Sequence, residues 1–166
     1  MIGLSELERF SVVLFLLVFI IQGLFINFPL YFTGLVGYSF SEFSNGFFKN
    51  KIAKPIIGNK TLPILGSGKR PKGAKNCGVL KDGKLSKSYG MPSGHAQSAG
   101  FFMLFQLLNT NDFLYKILII FVSIWTMLSR VRLGCHTFQQ IIIGGIIGAF
   151  IGTEDLGQYI LKALSD

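Results

Sequence analysis

FSVVLFLLVFIIQGLFINFPL, residues 10–30, is almost continuously apolar, interrupted only by Ser11, Gln22, Gly23, Asn27 and Pro29. About 20 such residues cross the hydrocarbon core of a bilayer as a helix. A secretory signal would have a basic start, a shorter apolar stretch and a small-residue cleavage site. Here Glu6 and Glu8 stand beside Arg9 and no cleavage pattern follows, so a retained span is expected. Outward from it, a turn near Asn27–Pro29 leads to a weaker span over Tyr31–Phe48, which carries Glu42 and several serines. Met91–Leu108 reads as a third span, Phe113–Leu128 as a fourth and Phe138–Gly152 as a shorter fifth. Leu156, Tyr159, Ile160 and Leu164 recur at helical spacing, so the tail from Glu154 is expected to extend the last helix or lie at the interface. The expected fold is all-α, a multi-pass transmembrane bundle of five to six helices forming one domain over residues 1–166.

Composition agrees. Half of the 166 residues are apolar, 17 are phenylalanine and only 14% are charged, with a mean hydropathy of +0.52. Soluble domains carry about 25% charge. Intrinsic disorder is excluded by the aliphatic and aromatic content.

The net charge of +8 is concentrated. Eleven of the sixteen basic residues lie between Lys49 and Lys87, against the single acid Asp82. Frequent glycine and proline make this stretch a loop rather than a long helix. Alternating spans would put the amino terminus, this loop and Ser129–Thr137 on one face, which gathers the reactive residue types on one side.

The chain has two histidines. One closes Gly90-Met91-Pro92-Ser93-Gly94-His95 at the start of the third span. Proline suits a first helical turn, and the free N–H groups that follow make an anion site. Gly94 lets a phosphate approach the backbone, Ser93 adds a hydroxyl, and His95 exchanges a proton near neutral pH. The other histidine closes Ser129-Arg130-Val131-Arg132-Leu133-Gly134-Cys135-His136, between the fourth and fifth spans. Arg130, and Arg70 of Arg70-Pro71 in the loop, offer planar forks that grip phosphate oxygens. Gln140, one turn from His136, is placed to accept from Nδ1–H and leave Nε2 free. His136, Gln140, Gly144, Gly148 and Gly152 recur every four residues and share a face, and the glycines form a small-residue ladder for helix packing.

Each feature alone has a plainer reading: a helix-end histidine as a cap, flanking arginines as topology anchors, a polybasic loop as a lipid-facing segment. Their conjunction on one face decides. Pro-Ser-Gly-His by itself is expected by chance about once in a thousand chains of this length.

These residues resemble the type 2 phosphatidic acid phosphatase superfamily, whose three motifs are Lys spaced from Arg-Pro, then Pro-Ser-Gly-His, then Ser-Arg-x5-His. The second and third match without gaps. Tyr89 to Gln97 and His136-Thr137-Phe138-Gln139-Gln140 look most like the dolichyl diphosphatase branch, including Gln140 where most members have Asp. In the first motif, Asn45-Gly46-Phe47-Phe48-Lys49 resembles the lysine segment. Ile56-Ile57 stands where Arg-Pro is expected, and Arg70-Pro71 follows an apparent insertion over Ile56–Lys69. Such insertions cost little loop-closure entropy. Lys49 is the preferred motif lysine, with Lys60 and Lys69 as alternatives.

The resemblance implies a lipid phosphatase acting through a phosphohistidine, without a metal or other cofactor. His136 would be the nucleophile, Gln140 would hold its tautomer, and His95 would be the acid and then the base. Lys49, Arg70, Ser93, Gly94 and Arg130 would hold the phosphate. The expected pH dependence is a bell. The expected substrate is a polyprenyl diphosphate, with phosphatidate or another lipid monophosphate as the alternative, and the expected partner is the bilayer. A non-catalytic lipid-phosphate binder is the remaining reading, and nucleic acid is not expected because the loop lacks stacking aromatics. The charge rule puts the basic face in the cytosol, whereas the resemblance implies a lumenal face in an endoplasmic-reticulum-type membrane. Cys77 and Cys135 are expected as free buried thiols, with a disulfide as the alternative if that face is lumenal.

Overall fold

The computed structural model describes residues 4–77 and 84–153, with side chains from Phe10 onward. The expected helix beyond Glu154 lies outside the described residues. Helix α1 (Leu4–Phe25) ends before the Asn27 turn, and α2 (Phe28–Phe47) begins directly after it. Asn27 makes the turn sharp: its side chain accepts from the Leu30 N–H at 3.2 Å, and Pro29 occupies the first turn of α2. Such a cap is worth about 1 kcal/mol. The turn falls where the sequence suggests, and α2 begins three residues before the expected Tyr31.

Helix α2 does not stop at the basic loop. It runs on through a π-helical turn, Phe48–Ala53, into the short α3 (Lys54–Ile57), which Gly58 ends at φ +56°. Only then does the loop turn irregular, with a small antiparallel hairpin pairing β1 (Thr61–Leu62) to β2 (Gly66–Ser67). The next helix, α4 (Gly94–Leu108), starts three residues later than expected, because Ser93 is its N-cap. Pro92 therefore precedes the helix instead of lying in its first turn, and the Met91–Pro92 peptide is cis. Helix α5 (Phe113–Arg132) is capped by Asp112, and it carries Arg130 inside its last turn. Thr137 caps α6 (Phe138–Ile151).

The ladder on α6 packs against α4. A Cβ at Gly148 would collide with the Gln97 carbonyl, and one at Gly144 would come within 2.5 Å of the Ser93 carbonyl. Small residues let these two backbones touch, which fixes the amino-terminal ends of α4 and α6 side by side. Around them Phe15, Phe19, Tyr38, Phe101, Phe102 and Phe105 form an aromatic core. Gly34 and Gly37 of α2 leave room for these rings.

The distribution of polarity is unusual for a helical bundle. Helix α5 buries Ser123, Thr126, Ser129 and Arg130, while Phe113, Leu114, Leu118 and Phe121 face outward. Phe43 is 86% exposed and Phe150 80%. Among the described residues, α5 alone is both long and apolar enough to cross a membrane by itself; the apolar runs Phe10–Phe25 and Phe138–Ile151 are shorter. The expected five helices are present, and by length and hydropathy one passes as a complete span.

Candidate active site

The capping chemistry of α6 builds the centre of the site. Gln140 is the third residue after the Thr137 cap, and its Oε1 accepts from the Thr137 N–H at 3.3 Å. The same oxygen lies 3.0 Å from His136 Nδ1. The Gln140 amide group is held from the other side: Nε2 donates to the Ser67 carbonyl at 2.8 Å and to the Lys69 carbonyl at 2.7 Å. With both amide hydrogens committed, Oε1 must face the histidine, and His136 Nδ1 must carry the proton. Those two carbonyls belong to the hairpin segment that separates Lys49 from Arg70. Gly90 permits the approach, since a Cβ there would lie 2.7 Å from the Gln140 amide atoms and 2.8 Å from the Arg70 nitrogen.

His136 Nε2 faces Arg70 NH1 at 3.1 Å. A guanidinium only donates, so this bond independently requires a lone pair on Nε2. The two contacts agree on a neutral imidazole protonated at Nδ1. Burial first, and the Arg70 charge second, push the His136 pKa down to about 2. The ring is therefore not free at Nε2, as the sequence reading had it; that nitrogen is capped by a cation.

Arg70 is itself fastened. Its NH1 also donates to the Cys135 carbonyl at 3.0 Å, and NH2 donates to Ser88 Oγ at 2.9 Å. Ser88 carries no sequence signal that would single it out. Arg130 is fully buried, donating from Nε to Ser129 Oγ at 3.0 Å and from NH1 to the Cys77 carbonyl at 3.4 Å. Its own carbonyl accepts from the Cys135 and His136 N–H groups, which turns the chain back toward α6.

Cys77 and Cys135 form a disulfide. This overturns the expectation of free thiols. The loop folds back over the end of α5, which brings the two Cα atoms to 6.1 Å, within bridging range. The bridge places the Cys77 and Cys135 carbonyls where Arg130 and Arg70 use them.

Ser93 and Gly94 start α4 beside this group, with the Ser93 N–H donating to the Gln140 carbonyl at 3.1 Å. His95, in the first turn of α4, is close enough for its charge to act on His136. Lys49 also acts on His136 and lies beside Arg70; burial first, and Arg70 second, hold its pKa down to about 8. Lys69 stands in the same cleft as Lys49 and Arg70, while Lys60 does not line it. The structure also gives a role to residues that the sequence reading quoted only as part of the motif stretches. Asn45 Nδ2 donates to Gln97 Oε1 at 2.8 Å, and Gln97 Nε2 donates to the Ser41 carbonyl at 2.6 Å. This buried seam locks α2, and with it Lys49, against the start of α4. A polar Gln97 in an otherwise apolar helix is the signal that points to it.

Residues 34–154 match the model of the PAP2 superfamily. The chain belongs to that superfamily, whose members are phosphatases acting on phosphate esters or lipid phosphates. No solved structure matches the chain.

Proposed function

We propose that this protein is an integral-membrane lipid phosphatase that hydrolyses a polyprenyl diphosphate to the monophosphate and inorganic phosphate through a phosphohistidine at His136. The observation that carries the reading is the Gln140–His136–Arg70 chain. It leaves a neutral imidazole with its Nε2 lone pair directed at a phosphate-binding cation.

In the first step Arg70 NH1 passes from Nε2 to a phosphate oxygen, Nε2 attacks the terminal phosphorus, an N–P bond forms, and the P–O bond to the leaving group breaks. The leaving oxygen takes the electron pair and a proton from His95. Water then attacks phosphorus, His95 takes its proton, and the P–N pair returns to His136. Arg70, Lys49 and Arg130, with the Ser93 hydroxyl and the Gly94 N–H, stabilise the equatorial oxygens. Gln140 is a positioning residue: it keeps the proton on Nδ1 and accepts a stronger bond as the ring becomes cationic. The groups gathered around Nε2 are cations and neutral donors, so charge neutralisation is assigned to side chains and the reaction is proposed to be metal-independent.

A bilayer setting is supported by the outward phenylalanines, leucines and isoleucines and by the buried polar stripe of α5. The Cys77–Cys135 bridge supports a non-cytosolic active-site face, because the cytosol keeps thiols reduced; an endoplasmic-reticulum-type lumen fits this. The charge rule is outweighed here, since phosphate binding gives the same cations a separate purpose. The deciding test is phosphate release in detergent with EDTA, from a polyprenyl diphosphate and from phosphatidate. Higher kcat/KM on the diphosphate is expected; equal or higher kcat/KM on phosphatidate would shift the assignment to a lipid monophosphate phosphatase.

A further inference from the structure

The loop insertion does more than brace Gln140. A cleft of about 540 Å³ opens beside Arg70 and its Ser88 partner, and Lys49, Lys54, Lys69, Arg70 and Lys87 line it, whereas His136 does not. No aspartate or glutamate is among its described lining residues. Volumes of this size accept ligands well beyond a single phosphate. Lys49 and Arg70 belong to both the cleft and the surroundings of His136. Lys54, Lys69 and Lys87 are exposed and ring only the cleft.

One transferring phosphate is already served by the groups at His136, so three further cations lining a cleft that shares Arg70 and Lys49 with it mark a place for a second phosphate. We propose that Lys54, Lys69 and Lys87 form a subsite for the non-transferred phosphate of a lipid-linked diphosphate, which makes the enzyme prefer diphosphates to monophosphates. This rests on the phosphatase reading and specifies its substrate class. The non-transferred phosphate, bridged to the one under attack, keeps its charge through the first step and leaves as the lipid monophosphate. Cations around it favour its departure as well as its binding. The insertion that displaces Arg70-Pro71 supplies Lys69 directly and positions the cleft wall.

The test titrates the full chain in detergent with inorganic pyrophosphate and with orthophosphate. It compares the wild type, a cleft variant Lys54→Gln/Lys69→Gln/Lys87→Gln, and a charge-matched control Lys51→Gln/Lys72→Gln/Lys75→Gln. The wild type is expected to bind pyrophosphate about tenfold or more tightly than orthophosphate, the control to keep that ratio, and the cleft variant to lose it. In the same proteins, kcat/KM for a polyprenyl diphosphate is expected to fall about tenfold in the cleft variant, mainly through KM, with less than about a twofold change for the polyprenyl monophosphate. A ratio that survives in the cleft variant overturns the subsite. So does an equal loss for both anions, or an equal loss in the control, since either means a general field only. If the ratio is lost while diphosphate hydrolysis is unchanged, the cleft takes free pyrophosphate, and its assignment to the lipid headgroup is overturned. If the wild type hydrolyses neither lipid, the phosphatase reading falls, and the titration alone still decides whether the cleft reads a diphosphate.

Discussion

The bundle contains two buried polar networks, one toward each end, and they differ in how they finish. At the far end Gln106 Nε2 donates to Gln22 Oε1 at 2.6 Å, and Gln22 Nε2 donates to the Tyr115 hydroxyl at 2.8 Å. Amides and phenol satisfy one another, and no net charge is present. At the near end the Asn45–Gln97 amide pair lies in one seam, and in another Gln140 holds His136 and His136 meets Arg70, which with Lys49 lines an open cleft. Buried polarity in an apolar bundle is therefore common to structural and reactive regions. The distinguishing feature is that one network closes on itself while the other terminates in charge facing an opening. A closed network specifies packing. An open one leaves donors for a ligand to complete.

This contrast makes the two ends respond differently to change. Arg70→Ala removes the cation that faces Nε2, and kcat/KM is expected to fall about 10³-fold while the folded structure persists; steady-state kinetics with a thermal melt checks both. Breaking the bridge comes next. Cys77→Ser/Cys135→Ser releases a cross-link between residues 58 apart in the sequence, and the chain-entropy account puts that at about 4 kcal/mol of stability. The same change frees the carbonyls that hold Arg70 and Arg130, so activity should fall even at temperatures where the variant stays folded.

The pH profile sharpens the comparison further. With its pKa held down to about 8, Lys49 is charged below that pH and loses its charge above it. Binding of an anionic substrate should therefore weaken as pH rises through about 8, and Lys49→Arg should move that limb to higher pH. His136, pushed to about 2, stays neutral throughout, so the acid limb of kcat/KM belongs to another group. If pyrophosphate binding, in which His95 transfers no proton, weakens with pH as before in Lys49→Arg, the lysine is removed from the site. The smallest effect is expected at the closed network: Gln22→Leu/Gln106→Leu/Tyr115→Phe removes the two amides and the phenol hydroxyl together, which costs little when the shapes are kept. Activity should stay within about twofold, measured on the same substrate.

Much of the fold was legible because its helices are written as apolar runs. Asn27, Asp112 and Thr137 punctuate them, each a residue that caps the helix it precedes. That α6 touches a neighbouring helix closely was legible in the glycine ladder, while the identity of that neighbour as α4 came from the structure. What stayed hidden involves partners distant in sequence or belonging to the backbone. The Cys77–Cys135 pairing depends on how a long loop folds back, which two isolated cysteines do not announce. The carbonyls of Ser67 and Lys69, which orient Gln140, have no side-chain signature at all. The sequence placed Pro92 in a helical turn on composition, whereas the Ser93 cap one residue later overrides it. The meeting of Arg70 with His136 was suggested by motif order; that Arg70 covers Nε2 itself needed the three-dimensional arrangement.

The central claim is chemical: His136 Nε2 takes the phosphoryl group, because Gln140 keeps the proton on Nδ1. The most direct measurement quenches the turning-over protein in alkali, which preserves phosphohistidine, and maps the phosphate by mass spectrometry. The account predicts acid-labile phosphate on His136 at Nε2, absent in His136→Ala. Phosphate on His95, or continued turnover by His136→Ala, would contradict it.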